Sequence, residues 1–309
     1  MEILKSEQFV NEKIEVMPVT KSRLLDTKEP SVDKNVAKFI KENNLVWNPM
    51  TKCYDANGNV KVTKNIVVEG RFPIRFGKVY GEFFCSECGL TTLEGAPVET
   101  GHFICNKNEL LSLEHSPKKV IGTFECRGNL LTSLKGAPEI VGGGFDCSEN
   151  KLISLDGAPK YANDFWCSCN KLKDLKNAPQ NLGEHGHFGC SYNELSTLEG
   201  APQKVGGIFS CQNNHLDSLE HAPRYVGENC LVFDNFLTDL KGSPLKIGKD
   251  FVCSNNHLVS FEGAPQEVGR DFYCKENQKL HIPKEKPNWI KGRLIYTKPN
   301  SPHIAHILL

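Results

Sequence analysis

Thirteen cysteines and ten histidines are the side chains of this 309-residue chain with the most chemistry in reach. Cys85-Ser86-Glu87-Cys88 has the spacing of a redox pair or of half a zinc site, and Cys167-Ser168-Cys169 is close to it. A zinc site needs four ligands at matched spacings, and a redox pair needs a strand leading into a helix. Neither context surrounds these cysteines. His102 and His187 stand three residues before a cysteine, and His215 and His257 each follow an asparagine. Catalysis there would need a nucleophile and an orienting carboxylate close by, which the spacing does not supply. No metal, cofactor or catalytic set is expected, and the histidines read as surface residues.

The cysteines obey an interval instead. Between Phe83 and Ile282 the phrase Phe-x-Cys-x-x-Asn-x-Leu-x-x-Leu, followed by a Gly-Ala-Pro-like turn, returns ten times at 20 to 23 residues. A sustained interval of that length marks a repeat architecture. The cysteine slot holds Cys85, Cys105, Cys126, Cys147, Cys167, Cys190, Cys211, Val232, Cys253 and Cys274, so it asks for a small apolar body. Two residues earlier come Phe83, Phe103, Phe124, Phe145, Phe165, Phe188, Phe209, Cys230, Phe251 and Phe272. Apolar residues two apart define the inward face of a short strand. Cysteines stacked at strand spacing with parallel Cα–Cβ bonds do not meet disulfide geometry, so reduced, buried thiols are expected.

The phrase resembles the strand-and-turn segment of the leucine-rich repeat, with Phe and Cys in the first two leucine places. The match runs from about Val60 to Ile282, and Val60, Val62, Asn65 and Val67 form a degenerate leading copy. More narrowly, the cysteine-rich phrase with Leu-x-Gly-Ala-Pro and Val-Gly resembles uncharacterised repeat proteins of large tailed bacteriophages. The resemblance implies a mostly β solenoid within the α/β repeat superfamily. It would have about 11 short coils, a concave parallel sheet and an irregular convex side.

The slots have separate physical tasks. The Asn row, with Cys88 in its first place and Asn108 to Asn277 after it, can satisfy backbone groups that stacked coils hide from water. Proline in the Gly-Ala-Pro turns excludes a long return helix. The glycines of Val141-Gly142, Val205-Gly206, Val226-Gly227, Ile247-Gly248 and Val268-Gly269 read as bends needing permissive φ. Three segments follow: residues 1–57, helical with a linker; 58–282, the solenoid; and 283–309, a strand-like cap around Trp289, Ile290, Leu294, Ile295 and Tyr296. In the first segment Phe9, Val10 and Ile14 suggest one helix, and Ser31 is the expected cap of a second, carrying Val32, Val36, Phe39 and Ile40.

Lysine plus arginine equal aspartate plus glutamate at 37 each, and residues 1–57 balance at nine of each. No basic stripe invites nucleic acid. No apolar run reaches 18 residues and no leader follows Met1, so a membrane partner is not expected and the cytoplasm is the expected compartment.

The residues flanking each cysteine must point away from the core. Their occupants in the C-terminal half are apolar where water would favour polar ones: Trp166, Leu231, Phe233, Val252 and Tyr273, with Tyr192 and Arg127 nearby. Such clusters mark protein contacts. The sequence therefore points to a non-enzymatic protein-binding solenoid. The bacteriophage resemblance implies a host or viral partner in the host cytoplasm. A repeat-guided effector enzyme and a virion assembly component are the alternatives.

Overall fold

The computed structural model describes residues 28–298 and 301–308. The helical pattern over residues 1–16 lies outside them. One helix, α1 (Lys34–Glu42), precedes the array with Val36 and Phe39 buried and Val32 and Ile40 packed against the same core. Its cap is Asp33, whose carboxylate accepts from Asn35 N at 2.7 Å and Val36 N at 3.0 Å; the expectation of Ser31 is corrected. A carboxylate also suits the positive end of the helix better than a hydroxyl does.

A hairpin that the sequence reading did not anticipate follows, β1 (Val46–Asn48) against β2 (Cys53–Ala56). β2 then pairs in parallel with β4 (Phe76–Phe84), and β3 (Val60–Lys61) pairs further along the same strand. Val60 and Val62 are buried as their frame requires. Asn65 is exposed, however, and Ile66 fills the core in its place. β4 and the next strand, β5 (Glu99–Ile104), are long enough to bend around a corner of the coil. Beyond them each coil carries two separate two-residue rungs.

One ladder of rungs contains the phenylalanines. Phe103 pairs with Phe124, Phe124 with Phe145, and so on to Phe272 and Leu294, all in parallel and in register. The rings stack along the axis, with centroids 5.7 Å apart for Phe83 and Phe103 and 5.1 Å for Phe124 and Phe145. The second ladder lies three to six residues earlier in each coil, most often four, and joins Val120 to Val141, Ala162 and Leu182, then Val205 to Val226, Ile247 and Val268. The return side is thus more regular than the turn residues alone suggest.

Between the ladders sit the Val-Gly glycines, and here the structure corrects the sequence reading. Gly142, Gly206, Gly227, Gly248 and Gly269 do not have positive φ. A Cβ on any of them would collide with a carbonyl oxygen of the preceding coil, such as Ile121 O for Gly142 and Gly206 O for Gly227. The slot is glycine because coils touch there. Positive φ belongs instead to the Gly-Ala-Pro turn, at Gly136, Gly200 and Gly263, and at His115 and Asn177 in the same slot.

At the C-terminal end β6 (Leu294–Lys298) adds in parallel to the Phe272–Tyr273 rung, and β7 (Ser301–Leu308) folds back on it antiparallel. Trp289 closes the core edge-on against Phe272, with centroids 5.2 Å apart. α1, the hairpin, the coils and this end share one continuous hydrophobic core.

Candidate functional site

Each coil is locked to the one before it by its asparagine. Asn150 donates through Nδ2 to Cys126 O at 3.0 Å in the preceding coil and to Cys147 O at 3.1 Å in its own, while its Oδ1 accepts from Leu131 N at 3.1 Å. Asn129, Asn193, Asn214, Asn235 and Asn256 repeat this geometry. Cys88 imitates the donor half alone, its thiol reaching Val62 O at 3.4 Å. Both members of the Cys-x-x-Cys pair are therefore absorbed by the repeat.

The slot thiols are buried, and burial pushes their pKa values well up, which keeps them protonated. Cys147 Sγ donates to Trp166 O at 3.3 Å and Cys253 Sγ to Tyr273 O at 3.4 Å, each across to the next coil. All thirteen cysteines, each within the described residues, are unpaired. His102 and His187 are also occupied: their Nδ1 atoms accept from Thr123 N at 3.1 Å and Ile208 N at 2.9 Å. Among the described residues no group of three His, Cys, Asp or Glu side chains is placed to hold a metal.

What remains is the outward face of the phenylalanine ladder. Leu231, Val252, Tyr273 and Ile295 fall in one row, each paired in register with the next. Phe233 stands beside Leu231 in the adjoining outward slot. Leu231, Phe233, Val252 and Tyr273 are half-buried, and none belongs to the core cluster. The Tyr273 hydroxyl donates to Asp271 Oδ2 at 3.4 Å. These residues form one apolar stripe.

Trp166 lies apart from it. Gly189 and Ser210 intervene in register between Trp166 and Leu231, and the indole leans over Gly189 and stacks on His187 at 5.9 Å. Tyr192 is 56% exposed on the turn after the strand, with a left-handed φ of 54°. Arg127 is on the face of an earlier coil and is ion-paired with Glu149 at 2.6 Å. The structure thus brings four of the seven expected residues together and leaves Trp166, Tyr192 and Arg127 outside the group.

Two features escaped the sequence reading. Ile295 continues the row into the cap, where its strand pairing could not be foreseen, but it is buried there. On the neighbouring edge Phe236, 48% exposed, sits between His215 and His257 with ring centroids 6.1 and 5.7 Å away. The common slot of these three, one residue after the asparagine, was the available signal.

Fold and face together define a leucine-rich-repeat-type solenoid. The sequence matches no protein-family model and no curated protein. Among solved structures the chain is similar to YopM from Yersinia enterocolitica WA-314, a leucine-rich repeat protein, with a TM-score of 0.54 and 21% identity. That likeness covers 73% of this chain and 52% of the other, so the chain spans about half the length of the structure it matches. No helix among the described residues is long and apolar enough to cross a membrane.

Proposed function

We propose that the solenoid is a non-enzymatic protein-binding scaffold whose partner docks on the outward strand face, the concave side of a leucine-rich-repeat curvature. The observation that carries this is the row Leu231, Val252 and Tyr273, an apolar stripe in register outside the core cluster, flanked by Phe233. Apolar and aromatic side chains held rigidly on a sheet make good anchors, because little conformational freedom is lost when a partner covers them. The half-buried Tyr273 hydroxyl supplies a polar atom beside the stripe. The binding reading is supported against nucleophilic chemistry by the thiols, which are buried and held protonated. On the bacteriophage resemblance of the repeat phrase, the partner is a host or viral protein met in the host cytoplasm.

The test is affinity capture with wild-type bait beside Leu231→Asp/Val252→Asp and Lys135→Ala/Gln203→Ala. The face variant should lose the partner and the turn variant should keep it. With the partner in hand, Tyr273→Ala should weaken binding by about 2 kcal/mol if it is an anchor. Retention by the face variant and loss by the turn variant would move the function to the return loops.

A further inference from the structure

Among the described residues the sheet ends on a strand with one unpaired edge. β7 pairs antiparallel with β6 from Leu294↔Leu308 to Lys298↔Ser301, and among the described residues no strand pairs with its other edge. An eight-residue edge presents a row of unpaired N–H and C=O groups, which native proteins usually guard with lysine, proline or a bulge. Here Pro302 and the irregularity at Thr297/Lys298 both sit at the turn end of the hairpin. From Ser301 to Leu309 there is no Lys, Arg, Asp or Glu. Elsewhere the surface is laced with ion pairs between neighbouring coils, such as Lys241–Glu262 and Lys246–Glu267. Ala305 is exposed and Ile307 is 51% exposed, while Leu308 packs toward the core.

We propose that β7 is a dimerisation strand, pairing antiparallel with the β7 of a second copy of this chain. Three observations favour a second copy over another partner. Antiparallel pairing of a strand with itself is isologous and closes on a two-fold axis, so one segment supplies both halves of the interface. The strand carries no Lys, Arg, Asp or Glu, its ionisable side chains being His303 and His306, so self-pairing sets no ammonium, guanidinium or carboxylate against its own kind. The opposite end of the sheet is β1, three residues long, so head-to-tail addition would leave most of β7 unpaired. The junction joins two sheets into one, with buried Ile295 opposite exposed Ile307 in each copy. A single strand pair buries less than the roughly 1,600 Å² of a standard interface and belongs with the weak associations, whose dissociation constants are of about micromolar order.

Analytical ultracentrifugation of the full chain from about 1 to about 200 μM brackets that range. Wild type should show a monomer–dimer equilibrium. Ala305→Lys/Ile307→Lys places like charges across the axis at exposed positions and should raise the dissociation constant at least about tenfold with an unchanged melting curve. Leu231→Asp/Val252→Asp should dimerise as wild type does. A wild type monomeric at the highest concentration, a dimer that survives the lysine pair, or a dimer lost through the stripe variant would overturn the proposal. Should the lysine pair lower the melting temperature, hydrogen exchange of wild type decides. Amides within residues 301–308 should gain protection only at high concentration, and equal exchange at both ends of the range would equally overturn it.

Discussion

The asparagine amide does for this fold what a run of backbone hydrogen bonds does for a helix. Each buried Asn satisfies two carbonyls and one N–H that no water reaches. Asn150→Ala should therefore destabilise the array by about 1–3 kcal/mol, whereas Lys151→Ala, one residue along and exposed, should stay within about 0.5 kcal/mol; urea melts of both would show it. The thiols admit a second test. Iodoacetamide on the native protein should label exposed Cys169 and half-buried Cys53 first. The slot cysteines, buried and held protonated, should label only at the rate of unfolding. Such residues were legible because their slots recur: Val232 once replacing cysteine said more about the slot than any single cysteine could. Trp166 shows the limit. Its direction follows from the pleat, but its rest on Gly189 and His187 depends on a neighbouring coil, so Trp166→Ala should cost stability as well as any binding. Tyr273 is the cleaner probe.

At the scale of the element, sequence named the strands and misread the glycines between them. A glycine chosen for φ and one chosen for close approach look alike in a repeat, because both recur at the same period. Substitution separates them: Gly227→Ala drives a Cβ into Gly206 O and should cost more than about 2 kcal/mol, as overpacking against backbone does. Gly58→Ala meets nothing within 4 Å and should be near neutral; paired thermal melts would read the difference. The hairpin of β1 and β2 stayed hidden because it lies ahead of the periodic signal. The C-terminal docking adds a pH dependence. Asp271 accepts from Arg293 through Nη2 at 2.6 Å, Nε at 3.1 Å and the backbone N at 2.8 Å, and the guanidinium holds its carboxyl below the ordinary aspartate range. A depressed folded value gives stability that is full above the unfolded value and lost as pH falls through the folded one. Asp271→Asn should therefore be less stable than wild type at pH 7, and the gap should close below about pH 4.

Across the described coils the rung pairings and the asparagine bonds join each coil to its immediate neighbours. Stability in such an array is a sum of nearest-neighbour terms, so damage at a central coil should spread along it. Hydrogen exchange of Asn150→Ala should show faster exchange in the coils on both sides of residue 150, and a purely local change would speak against that coupling. The same asparagine ladder has a mechanical meaning. Its bonds, like those of both rung ladders, run along the long axis from one coil to the next. Tension applied between the two ends is carried by every interface alike, and an end coil, held by a neighbour on one side alone, gives way first. The chain should then peel away coil by coil at a nearly constant, modest force, and on release each coil would find its seat on the one still folded beside it. In optical tweezers the molecule would behave as a reversible spring whose extension is counted in steps of one repeat.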